Sequence, residues 1–270
     1  MKMNTRQLDV DGLKVDVYEP DGPSKARLLF SHGAWVGGWI WETFAPWFAE
    51  NGYTAFVPTW RGRYDSRPNI DLGKVSVLDF VDDCLSVAAA TAPDVLIGES
   101  AGGLIAQKAA ESLKDLKALV LMNSAPPFMV PASPAVTIRQ IKYFGDILLG
   151  RPNKPSFPDY KALILNNVGD KESHEMYARI CLESGTALRE MSMGRIKVDP
   201  NKINCPVCVV VGHLDTILPL KVHRKIARLY GADLLEYPKM SHHTFSEQGW
   251  QEVASEVSGW LEKTLEQRVP

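Results

Sequence analysis

The order of the predicted elements indicates an α/β fold with a mostly parallel sheet. Short apolar runs, typical of buried strands, alternate along the chain with segments whose apolar residues recur at helical spacing. Strands that alternate with helices in this way are joined by right-handed crossovers and form parallel sheets. The runs are apolar throughout, as expected when helices cover both faces of the sheet. A chain of 270 residues is long enough to bury such a core.

The predicted elements begin with an antiparallel hairpin and give eight strands in all. Residues 8–18 alternate apolar and polar side chains around Asp11-Gly12, a pair typical of hairpin turns. Up to residue 122 the further strands are predicted at 26–30, 54–57, 95–97 and 118–122, and the helices at 39–51, 77–91 and 101–113. From residue 207 onward the strands are predicted at 207–211 and 233–237, and the helices at 220–230 and 245–267.

The regular alternation breaks between Pro126 and Asp199. Prolines punctuate this stretch, and helix-like pieces lie between them at 135–149, 159–168 and 172–183. We therefore predict that residues 126–199 form an inserted, mainly helical cap. Residues 1–125 and 200–270 are predicted to form the core domain.

Composition and charge argue against several classes of partner. A net charge of −2 gives no electrostatic attraction to nucleic acid or to an anionic membrane. No apolar run is long enough to span a bilayer, and the polar N-terminus lacks the apolar core of a signal peptide. A cytoplasmic location is therefore expected. We expect a small-molecule partner, no metal and no organic cofactor, and the oligomeric state stays open.

The segment GESAGG places a serine between the end of a predicted strand and the start of a helix. Its G-x-S-x-G pattern also occurs by chance, but a strand–turn–helix context is what a nucleophile elbow requires. Such a turn strains the serine backbone and needs small neighbours, which Gly98, Ala101 and Gly102 supply. The turn would lift the Ser100 hydroxyl above the carboxyl end of the sheet. The alternative is an ordinary N-cap serine on a tight turn.

A serine hydroxyl becomes a strong nucleophile only when a base takes its proton. His242, in KMSHHTF, follows the last predicted strand and reaches the same edge of the sheet. Asp215 follows strand 207–211, where a carboxylate could hold the tautomer of that base. The alternative for Asp215 is a turn residue whose carboxylate binds nearby backbone. His174 and His223 are predicted to lie at the surface.

Two backbone N–H groups are expected to face the oxygen of the reacting carbonyl. One belongs to Ala101, which follows the serine, and the other to Ala34 in SHGAWVGGW, the turn after the third strand. His32 is expected to brace this turn. Residues that could line a substrate pocket, although each could equally belong to the core, are Trp35, Phe128 and Met129.

The sequence resembles the α/β-hydrolase superfamily over nearly its whole length. The matching pieces are His32-Gly33, Arg61-Gly62, GESAGG, NCPVCVVVGHLDTILP and YPKMSHH. The chain order of serine, aspartate and histidine is also that of the superfamily triad. The segment HGAWVGGWIW is similar to the branch that contains plant methylesterases, hydroxynitrile lyases and some bacterial carboxylesterases. In that branch the alanine gives an oxyanion-hole N–H, which supports Ala34.

The resemblance implies a serine hydrolase that cleaves a carboxylic ester or a related acyl compound through an acyl-enzyme. A thioesterase, lactonase or amidase would use the same triad. A hydroxynitrile-lyase-like C–C cleavage is one alternative, and a small-molecule receptor with a silent triad is another. Lyases of this branch carry a lysine directly after the catalytic histidine, where this chain has His243. Two further positions depart from the common pattern, since Trp60 replaces an aspartate and Glu99 replaces a frequent histidine.

Overall fold

A computed structural model describes residues 3–128, 130 and 134–267. Its strands are β1 (Met3–Val10), β2 (Leu13–Pro20), β3 (Arg27–Ser31), β4 (Thr54–Pro58), β5 (Val95–Glu99), β6 (Ala118–Met122), β7 (Val207–Gly212) and β8 (Asp233–Tyr237). They form one eight-stranded sheet in the order β1-β2-β4-β3-β5-β6-β7-β8. β1 pairs antiparallel with β2, and β2 with β4, while all other neighbours are parallel. The predicted mostly parallel α/β sheet is confirmed.

Helices flank this sheet. They are α1 (Phe44–Glu50), α2 (Val77–Thr91), α3 (Ser100–Ala110), α4 (Pro134–Gln140), α5 (Phe144–Leu148), α6 (Phe157–Leu163), α7 (Asp170–Arg179), α8 (Gly185–Ser192), α9 (Leu220–Tyr230) and α10 (Trp250–Glu266). Short 3₁₀ helices lie at Gly38–Trp41, Leu72–Lys74, Ile141–Tyr143 and Pro200–Lys202. Within the described residues, none of these helices combines the length and the apolar character that crossing a membrane requires.

Two predicted helices begin later than the sequence pattern suggests. The predicted helix 39–51 is a 3₁₀ turn followed by α1. The last helix begins at Trp250 rather than at residue 245, because Gly249 has a φ of 92°, which a right-handed helix cannot contain. The Phe245 ring instead packs against Trp41 and Phe44 in the core. The helical spacing of apolar residues therefore extends toward the N-terminus beyond the first residue at which the backbone can be helical.

The segment between β6 and β7 contains α4 to α8. The predicted helix 135–149 is interrupted by a 3₁₀ turn between α4 and α5. The predicted helix 172–183 ends at Arg179, where the chain becomes extended. Helix α8, which the apolar spacing did not predict, begins after Ser184, whose hydroxyl caps it. The division of the chain into a core domain and a cap stays a prediction.

Alternate residues of the central strands belong to different halves of the core. In β3, Leu28 and Phe30 pack into a cluster that includes residues of α1 and α10. Leu29 packs into a second cluster that includes residues of α2 and α3. All three side chains are fully buried. Because both faces of the sheet are covered, polar groups can collect at the carboxyl ends of the parallel strands.

His223 is not at the surface, and that prediction is wrong. It is fully buried on the inner face of α9, together with Val222, Ile226 and Ala227. These positions recur at helical spacing and therefore share one face of the helix. His174 on α7 is exposed, as predicted.

Candidate active site

The Ser100 hydroxyl stands at the junction of β5 and α3. Its φ of 51° lies in the left-handed region, which costs a residue with a Cβ about 1–2 kcal/mol. The turn is compressed on both sides. A Cβ at Gly98 would lie 2.6 Å from the Gly102 carbonyl oxygen, and one at Gly102 would lie 2.3 Å from the Ser31 carbonyl oxygen. Only glycine fits at these two positions, which is the physical reason for the G-x-S-x-G spacing.

Three residues that are far apart in the sequence form one chain of hydrogen bonds. Ser100 Oγ lies 3.0 Å from His242 Nε2, and Asp215 Oδ2 lies 2.7 Å from His242 Nδ1. Ser100 follows β5, Asp215 follows β7 and His242 follows β8. The carboxyl ends of these parallel strands bring the three side chains together at one edge of the sheet.

Asp215 is held from several sides. Its Oδ1 accepts the backbone N–H groups of Ile217 and Leu218, at 3.0 and 2.9 Å. Its Oδ2 accepts the side-chain amide of Asn123 at 2.8 Å, besides its contact with His242. The carboxylate is therefore both a turn residue and a partner of the imidazole. These contacts fix its position before any substrate binds.

The loop that carries His242 is fastened by Glu247. The Glu247 carboxylate accepts the backbone N–H of Ser241 at 2.9 Å, the Ser241 hydroxyl at 2.5 Å and the backbone N–H of His243 at 3.1 Å. A Cβ at Gly212 would lie 2.1 Å from the Ser241 carbonyl oxygen, so the loop presses directly on the end of β7. The imidazole is therefore positioned by its backbone on both sides.

Buried carboxylates govern the protonation of this site. Burial lowers the pKa of His242, but the charges of Asp215 and Glu99 outweigh it and raise that pKa to about 9. Burial raises the pKa of Asp215, yet the charge and hydrogen bond of His242 leave it below its usual value. For Glu99 burial dominates and raises the pKa to about 7. Burial lowers the pKa of His243 to about 3, so that ring is neutral at pH 7.

Two backbone segments surround the space beside the Ser100 hydroxyl. Ala101 lies in the first turn of α3, where helix N–H groups have no intrahelical partner. Ala34 lies in the turn after β3 and lines the same cavity as Ser100 and Ala101. His32 Nε2 accepts the backbone N–H of Trp60 at 3.1 Å, and burial keeps the pKa of His32 well below its usual value. The neutral ring of His32 thus braces the turn that contains Ala34.

Hydrogen bonds of Trp35 connect the same turn to the segment between β6 and β7. Trp35 has a φ of 64°, and its backbone N–H donates to Glu183 Oε2 at 3.2 Å. Its carbonyl oxygen accepts the backbone N–H of Cys181 at 2.7 Å. Glu183 also forms an ion pair with Arg63, and both side chains are 2% exposed. Both polar backbone atoms of Trp35 are therefore held by residues that lie between β6 and β7.

A cavity of about 820 Å³ opens beside Ser100. Trp35 and Phe128, two of the predicted pocket residues, line it, and Met129 lies outside the described residues. Further apolar lining residues are Val130, Val136, Ile147, Tyr160, Leu163, Ile164, Leu188 and Met191. Within the described part of the chain, no group of three or more His, Cys, Asp or Glu side chains is arranged to hold a metal ion.

Several residues of the site were missed from the sequence. Asn123 and Glu99 stand at the ends of β6 and β5, and polar residues directly after apolar strands could have drawn attention to both. Glu247 and Glu183 lie in loops and carried no comparable signal. Their contacts are with residues whose proximity cannot be predicted from the spacing of apolar residues along the chain.

The model of the alpha/beta hydrolase family matches residues 28–256. A soluble variant of monoglyceride lipase from Saccharomyces cerevisiae, solved with a substrate analogue, is 18% identical, with 98% of this chain and 96% of that chain covered and a TM-score of 0.76. A thermophilic esterase from Thermogutta terrifontis is 18% identical, with 97% and 99% covered and a TM-score of 0.71.

An N-acyl homoserine lactonase is 19% identical, with 97% of this chain and 98% of that chain covered and a TM-score of 0.71. At these identities the likeness concerns the fold. Among curated proteins, none matches the sequence. The family model spans most of the chain, including both glycines of the serine turn and the segments that carry Asp215 and His242. The chain therefore belongs to the α/β hydrolase family.

Proposed function

We propose that this protein is a serine hydrolase that cleaves a carboxylic ester, or a related acyl compound, of a small molecule. The observation that carries the proposal is the chain of hydrogen bonds from Ser100 Oγ through the His242 imidazole to Asp215, at 3.0 and 2.7 Å. Membership of the α/β hydrolase family supports it. The similar structures include an esterase, a lipase and a lactonase, which supports ester or lactone substrates.

In the proposed reaction, Ser100 Oγ attacks the substrate carbonyl carbon and its proton passes to His242 Nε2. Asp215 stabilises the imidazolium that forms, and the N–H groups of Ala34 and Ala101 stabilise the oxyanion. The carbonyl re-forms as the bond to the leaving oxygen breaks, and His242 returns its proton to that oxygen. A water molecule, deprotonated by His242, then attacks the acyl-enzyme. Its proton passes back to Ser100 as the acid departs.

The cavity favours substrates with a large apolar part. Its volume of about 820 Å³ lies within the range of small-molecule sites, and its walls are mainly aliphatic and aromatic. We propose that the 126–199 segment acts as a cap over this cavity, with Trp35 and Phe128 in contact with the substrate. Burial of an apolar acyl or alcohol group there would contribute about 0.8 kcal/mol per CH₂ to binding.

The lyase alternative is weaker because of His243. A departing cyanide needs a nearby cation, and the ring at position 243 is neutral, since burial lowers its pKa to about 3. Ester hydrolysis needs no such cation, because His242 protonates the leaving oxygen. We further propose a small-molecule partner, since a net charge of −2 gives no electrostatic attraction to nucleic acid or to an anionic membrane. We also propose a cytoplasmic location.

Labelling by a fluorophosphonate, followed by assays on a panel of esters, tests the proposal. We expect a single label on Ser100 and ester turnover, and we expect Ser100→Ala to lose both. Ser112→Ala is the matched control, because Ser112 is exposed just beyond the other end of α3. Labelling that persists in Ser100→Ala would mean a different nucleophile. Cyanohydrin cleavage without ester turnover or an acyl adduct would favour the lyase.

A further inference from the structure

A second carboxyl group faces the His242 imidazole on the side away from Asp215. Glu99 Oε1 lies 3.3 Å from His242 Nε2, whereas Asp215 Oδ2 lies 2.7 Å from Nδ1. Glu99 is 2% exposed and belongs to β5, a central strand of the sheet. Its carboxyl group is therefore shielded from bulk water. The reaction proposed above gives this buried acid no role.

The backbone around Glu99 is shaped to admit its carboxyl group. A Cβ at Gly33 would lie 2.5 Å from Glu99 Oε2, so a residue larger than glycine would displace the acid. A backbone hydrogen bond from Gly33 favours its ionised form. Glu99 also lines a small space of about 10 Å³ together with Ser100, His242 and Tyr160. The Glu99 carboxyl group is thus enclosed by the backbone and side chains of the site.

We propose that Glu99 is a positioning residue that stabilises the doubly protonated imidazole of His242 from its Nε2 side. The inference rests on the proposed function, since it concerns the base of that reaction. His242 Nε2 lies 3.0 Å from Ser100 Oγ and 3.3 Å from Glu99 Oε1, so a proton on this nitrogen is within reach of both oxygens. When Ser100 attacks, its proton arrives at Nε2, and the resulting cation stands between two carboxylates.

The other ionisable groups around this pair do not act at the same nitrogen. Asp215 and Glu247 also raise the pKa of His242, but Asp215 binds Nδ1. The Glu247 carboxylate binds the Ser241 hydroxyl, the loop backbone and the side-chain amide of Asn167. Further ionisable groups near the pair, among the residues that the structure describes, are His243, His223 and Tyr160. Burial lowers the pKa of His243 and His223 and raises that of Tyr160, so these groups are neutral near pH 7.

The effect of Glu99 on the pH at which His242 becomes a base has a defined direction. The base form of His242 appears only as the imidazolium loses a proton, and an ionised Glu99 holds that proton. The pKa values of about 7 for Glu99 and about 9 for His242 agree with two successive losses from one coupled pair. Removing the Glu99 charge should therefore shift the appearance of the base to lower pH. It should also remove stabilisation of the imidazolium during attack.

The test is the rate of fluorophosphonate labelling between pH 5 and pH 11 for the wild type and for Glu99→Gln. We expect the midpoint of the rising limb to move down by about 1–3 pH units in Glu99→Gln. At pH 7 the variant should react faster than the wild type. Above the wild-type midpoint it should react more slowly, because its imidazole is less basic. The two profiles should therefore cross.

The control is Glu262→Gln, because Glu262 is an exposed residue that pairs with Lys25 on the surface. Its profile should overlay that of the wild type. Glu99→Asp keeps the charge but withdraws it by one methylene, so its midpoint should fall between the other two. This variant also serves if Glu99→Gln fails to fold. A rate that falls equally at every pH would indicate a purely structural role for Glu99 and would overturn the inference.

An NMR titration of the His242 imidazole nitrogens, assigned by comparison with His242→Ala, separates this inference from the proposed function. It needs no substrate and no labelling. A lower His242 midpoint in Glu99→Gln is the expected result, and an unchanged midpoint contradicts the role of Glu99. Absence of labelling in the wild type, with the expected NMR shift, would count against the hydrolase proposal alone.

Discussion

Replacing Glu183 by glutamine should destabilise the protein strongly. Glu183 and Arg63 form an ion pair in which both side chains are 2% exposed. Within the described residues, the Nε and Nη1 atoms of Arg63 have no hydrogen-bond partner. The variant would leave a buried guanidinium without a counter-charge, and such a loss costs about 3–5 kcal/mol. For a chain of this size the corresponding fall in Tm is about 6–20 °C.

Urea unfolding followed by tryptophan fluorescence measures this loss. Glu19→Gln is the matched control, because Glu19 binds Arg6 at 2.9 Å on the exposed hairpin and should contribute about 0–1 kcal/mol. The double variant Arg63→Met/Glu183→Gln carries no unpaired charge. The sum of the losses of unfolding free energy in the two single variants should therefore exceed the loss in the double variant by about 1–3 kcal/mol. A loss below about 1 kcal/mol in Glu183→Gln, or strictly additive losses, would refute the reasoning.

Other substitutions test the remaining contacts of the site. His242→Ala should lower ester turnover by orders of magnitude and His243→Ala much less; a reversed ranking would place the base one residue later. Asp215→Asn should keep the fold, as measured by circular dichroism, yet lower kcat by about 10⁴-fold because the amide favours the wrong imidazole tautomer. Asn123→Ala, which removes one hydrogen bond to Asp215, should lower kcat with a smaller effect; equal effects would contradict its supporting role. Gly102→Ala should fail to fold, because its Cβ would lie 2.3 Å from a backbone oxygen, and a soluble variant with wild-type Tm would disprove this packing.

The regular elements of the sheet could be predicted because their signals are local. Helices α2 and α9 and strands β6 and β8 have the predicted bounds, since apolar period and strand composition depend on neighbouring residues. Where backbone geometry overrode the apolar pattern, the prediction was wrong at a boundary. The backbone conformation of Gly249 prevents the helix from starting before Trp250, although helical spacing of apolar residues begins at Phe245.

The candidate site was predictable in part. Ser100, Asp215 and His242 could be chosen from the sequence because each lies within a few residues of the carboxyl end of a predicted strand, and the carboxyl ends of parallel strands lie at one edge of the sheet. The structure places them within hydrogen-bond distance, while their catalytic roles stay a proposal. His223 was misplaced because its polarity suggested the surface, whereas its position on α9 put it on the buried face.

The sequence by itself determined the alternation of strands and helices and the glycine-rich turn around Ser100. Both follow from sterics and periodicity within a few residues of chain. Only the tertiary structure decided that Glu183 holds Trp35, a contact between residues 148 positions apart. It also decided that Glu99 faces His242 Nε2 in a buried space. Such contacts depend on which surfaces pack together and how much water they exclude, and burial and charge at those contacts set the pKa values of the site.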